Sequence, residues 1–340
     1  DIDLASSGNL IVRSGGTMTI DQNSVRNDHP MWDGVELFEG GSTVTIKNWD
    51  WTGSSTNWSI FNNNTSISFN ANGWKFGNLI LDVNNSIQNW QIVGGNLGGV
   101  INLCENDLDI SNAGTSYITG ATNTTGTNGF VVNRNMTIYD GNFSFGSSYT
   151  NNSFNHQFVI NGDFNCISND ALKVHLNGSG TATALTGNVS VKGDFIVGNT
   201  VTSFTNDKAT DNSVLPLNLS GSGTTQLLTV YPTAVAIPMN VKSNAYVQLS
   251  NTDLVVNSST GVTADFKVEA NATLDFNFNL TTPLVIKKVT SGGAGTNSFT
   301  SIQGCTLKIT APDGINLASG ATGATGQALN VQMTTANTIS

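Results

Sequence analysis

Apolar and polar positions alternate with a period of two along almost the whole chain, and no stretch carries the 3.6-residue period of an amphipathic helix. Leu10 and Val12 oppose Ile11 and Arg13 before Gly15-Gly16, and Met18 and Ile20 oppose Thr17 and Thr19. Val44 and Ile46 oppose Thr43, Thr45 and Lys47, and Phe158-Val159-Ile160 runs into Asn161-Gly162. Strands of four to six residues, separated by Gly, Asn or Ser, are the predicted elements throughout.

These strands recur in a pattern. Asn57-Trp58-Ser59-Ile60-Phe61, Gly73-Trp74-Lys75-Phe76-Gly77 and Asn89-Trp90-Gln91-Ile92-Val93 follow one another at a spacing of 16 residues. Further on, Phe158-Val-Ile-Asn-Gly-Asp-Phe164 returns 31 residues later as Val189-Ser-Val-Lys-Gly-Asp-Phe195. Leu176-Asn-Gly-Ser-Gly-Thr181 returns 43 residues later as Leu219-Ser-Gly-Ser-Gly-Thr224. One supersecondary unit of this kind cannot bury its apolar face alone, whereas stacked units bury a continuous core. The predicted fold is therefore all-β, a parallel β-helix (β-solenoid) with irregular coil lengths; a string of β-sandwiches is the competing fold. The Trp-containing part spans residues 1–150 and the repeat-containing part 151–340, with a soft boundary at 145–156, the two being read as one continuous solenoid. Trp58, Trp74 and Trp90 are expected to stack as a ladder in the core.

Composition fits this picture. Counted together, 46 Asn, 42 Thr, 33 Ser and 36 Gly make up close to half the chain. Asn and Gly tolerate the positive φ of tight turns, and Asn and Thr side chains bond the backbone where it bends. Only 11% of residues are charged, which suits stacked rungs where like charges would repel. With three Arg and a formal net charge of −10, the chain is a poor nucleic-acid partner. No run reaches the ~18 apolar residues of a spanning helix. Cys104, Cys166 and Cys305 have no metal-type spacing and read as small buried hydrophobes. The opening Asp1 suggests a processed chain or an excerpt of a longer one, and the composition suggests an extracellular one.

Candidate chemistry is sparse. All six Trp lie in the first ninety residues, and Trp32, Trp49 and Trp51 are the candidates for a glycan-stacking surface. Paired carboxylates for glycoside hydrolysis would come from Glu36 with Glu39, Asp107 with Asp109, or Glu105. The i, i+2 spacing of Asp107 and Asp109 puts both on one strand face, making them weak Ca²⁺ candidates. A β-helix lyase would need such acids beside a Lys or Arg base, and in sequence the nearest basic residue is Arg134. His29, His156 and His175 have no nucleophile motif beside them. Thr-x-Thr occurs at Thr17–Thr19, Thr43–Thr45 and Thr181–Thr183 without the fixed period of an ice-binding array. No catalytic residue and no cofactor is predicted.

The segments Phe158–Phe164, Leu176–Thr181 and their repeats, with Ser298-Phe299 and Thr306-Leu-Lys-Ile-Thr-Ala-Pro-Asp-Gly-Ile315, resemble the repetitive regions of very large secreted Bacteroidota surface adhesins. The resemblance covers about half the chain and carries no catalytic residue with it. It implies a gap-filled β-helix exported by the type IX secretion system, in a family of which some members are associated with gliding. The expected function is a non-catalytic adhesin or stalk module, secreted or on the cell surface. Its expected partners are a surface polysaccharide or other cell-surface ligand and secretion-system components. A polysaccharide-acting β-helix lyase or glycoside hydrolase, or a phage-fibre-like receptor-binding module, is the alternative.

Overall fold

A computed structural model describes residues 9–21, 35–47, 57–62, 75–83, 89–94, 101–112, 117–119, 126–147, 154–176, 185–206, 216–232, 234–235, 237–250, 254–258, 264–276, 284–290, 297–309, 315–319, 330–333 and 338–339. Among these residues every regular element is a β-strand, and every strand pair within the sheets is parallel. The chain is a parallel β-solenoid. From Thr43–Lys47 onward each winding contributes three strands and nearly every third strand pairs, which builds three long faces; nearer the start Asn9–Val12 pairs with Val35–Phe38 and Thr17–Asp21 with Thr43–Lys47. The longest sheet has twelve strands among the described residues, from Thr17–Asp21 to Thr338–Ile339. A ten-stranded sheet forms the second face and a seven-stranded one the third. The ten-stranded sheet passes the 145–156 segment without a break, since Gly126–Val132 pairs with Phe154–Ile160.

Winding length is irregular, as the sequence predicts. Thr43 and Asn78 are register partners 35 residues apart, whereas Leu228 and Leu249 are partners in a winding of 21. The 31-residue repeat is one full winding, because Phe164 pairs with Phe195. Two other spacings mean something different from what they suggest. Trp58 pairs with Trp90, so 16 residues is half a winding there, and Lys75–Phe76 belongs to the ten-stranded face rather than to the Trp face. Trp74 itself lies outside the described residues. The 43-residue offset is not a winding, since Leu176 sits on the seven-stranded face and Leu219 on the ten-stranded one.

Parallel register places equivalent side chains one above the other, ~4.8 Å apart. One inward column of the twelve-stranded sheet reads Val44, Leu79, Leu108, Met136, Phe164, Phe195, Leu228, Leu249, Phe276. All nine are buried. Phe164 stacks on Phe195 at 4.9 Å between ring centroids with the planes 17° apart. Phe145 meets Phe158 edge-on at 5.4 Å, which carries the aromatic packing across the core. Burying each such ring contributes roughly 1.5–3 kcal/mol. Cys104, Cys166 and Cys305 are buried free thiols, and burial pushes the Cys104 and Cys166 thiols up to about 12.

The bend before the strands of the twelve-stranded sheet takes two recurrent forms. Near both ends it is a four-residue turn closed by a backbone bond, such as Ala272 N–H to Glu269 C=O (3.1 Å) or Gly16 N–H to Arg13 C=O (2.8 Å). Its third residue has positive φ, 61° at Asn271 and 66° at Asn244, the type II requirement that selects Asn or Gly. In the middle the bend shortens to three residues, as in Asn161-Gly162-Asp163 and Lys192-Gly193-Asp194. A Cβ at Gly193 would collide with the Gly162 backbone one winding below, so the tight bend demands glycine.

Candidate functional site

The column directly before the inward Leu/Met/Phe column is rich in acids and amides: Asn78, Asp107, Asn135, Asp163 and Asp194, then Leu227, Gln248, Asp275 and Lys308. In the middle windings these residues sit at the bend, where the strand ladder is interrupted. Each side chain there accepts the N–H of the next residue in the column. Asn135 N–H donates to Asp107 Oδ1 (2.9 Å), Asp163 N–H to Asn135 Oδ1 (2.9 Å), and Asp194 N–H to Asp163 Oδ1 (2.8 Å). Leu227 N–H closes the series on Asp194 Oδ1 (2.7 Å). Burial raises the Asp194 carboxyl above its usual range and the Asp163 charge adds to it, against the lowering effect of Leu227 N–H.

Asp107 and Asp109, the weak Ca²⁺ candidates, lie at this ladder. Asp107 is spent on Asn135 N–H, and Arg134 Nη1 stands 3.8 Å from its other oxygen. Burial, with the Asp107 charge, raises the Asp109 carboxyl. Among the described residues no group of three or more His, Cys, Asp or Glu is placed to hold a metal ion. Glu39, a hydrolase candidate, pairs with Arg13 (2.8 Å) and accepts Ser14 N–H (3.1 Å). Lys242, Glu269 and Ser243 N–H repeat this arrangement near the other end. Burial alone would raise the Glu269 carboxyl, but Lys242, Ser243 N–H and Lys267 outweigh it and hold it low.

In the upper windings the strands start three residues earlier in register, at Tyr246, Thr273 and Thr306, so the same column lies within the strand. Asp275 is fully buried there although its position faces outward. Tyr246 Oη donates to Asp275 Oδ2 (2.5 Å), and Lys308 Nζ lies 3.3 Å from the same oxygen. Lys308 Nζ also donates to Tyr246 Oη (3.0 Å), and Gln248 Nε2 reaches Asp275 at 3.4 Å. The Tyr246 hydroxyl is raised by burial and by Asp275; the Lys308 ammonium is raised by its bonds to Tyr246 and Asp275. The lysine and tyrosine bridge over the acid and seal it. This set joins an acid, a phenol, an amide and an amine across three windings. Sequence reasoning missed it, although the turns Ser243-Asn244-Ala245, Ala270-Asn271-Ala272 and Gln303-Gly304-Cys305 mark the three windings that assemble it.

A second outward feature lies where the twelve-stranded sheet ends on the opposite side. Tyr139, Ile167, Gly198 and Tyr231 directly follow the register partners Ile138, Cys166, Val197 and Val230 on four successive windings. Tyr139, Ile167 and Tyr231 are exposed to 52%, 48% and 54%. Tyr139 sits at a register shift of its strand, where Ile110 pairs with Ile138 but Ser111 with Asp140.

Trp32, Trp49 and Trp51, the predicted glycan-stacking residues, lie outside the described residues. Thr17 and Thr19 stack in register on Thr43 and Thr45, but the next winding offers Asn78 and Ile80, so a flat threonine array does not continue. No helix among the described residues is long and apolar enough to cross a membrane. Comparison with protein-family models, with curated proteins and with solved structures finds no match to this chain.

Proposed function

We propose that this chain is a non-catalytic β-helical adhesin or stalk module, secreted or displayed on a cell surface, whose partner is a surface polysaccharide or another cell-surface ligand. The observation that carries this reading is how the outward carboxylates are used. Asp107, Asp163, Asp194, Glu39, Glu269 and Asp275 each hold one winding to the next. Side chains spent on neighbouring windings stiffen a rod, as a stalk requires. The stacked sheets give such a rod outer faces on which a ligand site is built from successive windings rather than from one loop.

A polysaccharide lyase or hydrolase is the second reading, and the juxtaposition of Tyr246, Asp275 and Lys308 is what favours it. An acid, a hydroxyl and an amine within 3.3 Å of one another resemble an acid–base set. Yet Asp275 has no exposed surface, and a general acid or base must reach its substrate. The test incubates the chain with a panel of neutral and uronic-acid polysaccharides and follows release of reducing ends and of unsaturated products. The adhesin reading expects none, together with adhesion of chain-coated beads to a polysaccharide-coated surface. Turnover that disappears in Asp275→Asn would overturn it.

A further inference from the structure

We propose that Tyr139, Ile167 and Tyr231 form a stacking track for a neutral, extended, β-linked hexopyranose chain lying along the solenoid axis, with Gly198 leaving a notch in the track. The assignment deepens the adhesion reading above and rests on it.

The geometry is that of a line. Four successive windings place these residues in one column, so Tyr139 and Tyr231 are three rungs apart, ~14 Å at the spacing of parallel strands. Three of the four large hydrophobic side chains exposed among the described residues belong to this column; Ile11 is the fourth. Gly198 provides the gap: a Cβ there would sit 3.2 Å from Cys166 C=O, so a larger residue would press on that backbone oxygen. Beside the track, two positions earlier on the same strands, runs the outward column Thr137, Asn165, Ile196, Thr229. Hydroxyl and amide groups therefore border the apolar line on three of its four windings.

The chemistry selects the occupant. A track one side chain wide exposes far less than the ~1,000 Å² that a specific protein–protein interface needs. An extended β-linked sugar chain needs only a line: it repeats its apolar ring faces at nearly the rung spacing and puts its hydroxyls to the sides, where Thr137, Asn165 and Thr229 stand. A coiled α-linked chain cannot keep successive rings over a straight column. The net charge of −10 disfavours uronic or sulfated polymers at this surface.

The experiment titrates the full 340-residue chain with cellohexaose and, separately, maltohexaose, by calorimetry and by chemical-shift changes. Cellohexaose is expected to bind and maltohexaose to bind at least about tenfold more weakly. Tyr139→Ala and Tyr231→Ala are each expected to weaken cellohexaose about tenfold, the loss of one aromatic contact. Both tyrosines are more than half exposed, so an unchanged circular dichroism spectrum is expected for the variants and is checked first. The proposal is overturned if the wild-type chain binds neither hexaose, or if the Tyr139→Ala/Tyr231→Ala double variant binds as well as wild type. Binding that survives the double variant and is lost in Trp49→Ala/Trp51→Ala also overturns it. Beads coated with the double variant that still adhere to a polysaccharide surface would sink this track while leaving the adhesion reading in place.

Discussion

One column of side chains passes through two regions of this solenoid and behaves differently in each. Between Asp107 and Asp194 the column lies at a three-residue bend, and the carboxylates and amides accept the N–H groups that the bend leaves without a carbonyl. Beyond Leu227 the strands start earlier relative to the column, the column moves inside the sheet, and the same N–H groups are taken up by the strand ladder. An acid placed there has no backbone donor waiting for it. Asp275 instead recruits Tyr246, Gln248 and Lys308 and is sealed beneath them. The role of an acidic residue in this β-helix is thus set by where the bend falls, three residues one way or the other. In the middle region Asn and Asp are interchangeable, as the natural mixture of Asn78, Asp107, Asn135, Asp163 and Asp194 indicates. In the upper region they are not.

The largest effect is expected where the acid is buried. Asp275→Ala strips the Tyr246 hydroxyl and the Lys308 ammonium of their shared acceptor, and should lower stability by about 3 kcal/mol in denaturant unfolding followed by circular dichroism. Lys308→Met should destabilise as well, since it leaves a buried carboxylate without its cation. A loss below about 1 kcal/mol for Asp275→Ala would mean that the cluster contributes little.

In the middle region the same measurement should separate alanine from asparagine. Asp163→Ala leaves Asp194 N–H without its acceptor and should cost about 1.5 kcal/mol, whereas Asp163→Asn keeps the bond and should stay within about 0.5 kcal/mol of wild type. Equal losses for the two substitutions would contradict the contrast between the regions. At the four-residue turns, Asn271→Ala forces a Cβ-bearing residue without a local polar bond to hold φ at 61°, and about 1 kcal/mol should be lost. Asn271→Gly should be tolerated.

The smallest effect is on pH dependence, and its sign differs between sites. The raised carboxyl of Asp194 favours the folded state when protonated, so its contribution is present below the ordinary carboxylate range and is lost as pH rises through its folded value. The lowered carboxyl of Glu269 contributes above the ordinary range and loses that contribution as pH falls through its folded value. Melting temperatures across about pH 3 to 7 should therefore fall less with rising pH in Asp194→Asn, and fall less on acidification in Glu269→Gln. Profiles identical to wild type in both variants would remove these two groups from the account.

Much of the fold was legible because period-two alternation and the Gly-Asp-Phe repeat are local signals. Phe164 and Phe195 mark one winding in the sequence as they do in the structure. What misled was spacing without a face assignment. Leu176 and Leu219 share wording yet lie in strands on different faces, and Trp58 pairs with Trp90, twice the 16-residue step. The sites were harder to read for the same reason. Tyr139, Ile167, Gly198 and Tyr231 meet only after successive windings of 28, 31 and 33 residues, which no fixed period reveals. Nothing in the sequence around Asp275 sets it apart; register places it between Gln248 and Lys308.

Register across successive windings is what the whole account stands on, and a disulfide reports it directly. Asn165 and Ile196 face outward as parallel partners one winding apart, within the Cα separation a disulfide accepts, and the three native thiols are buried. Asn165→Cys with Ile196→Cys should oxidise to a single intramolecular crosslink in the folded chain, seen by mass mapping, while Asn165→Cys with Val197→Cys should stay reduced because Val197 faces the core. Crosslinking of the second pair in place of the first would contradict the stacked columns.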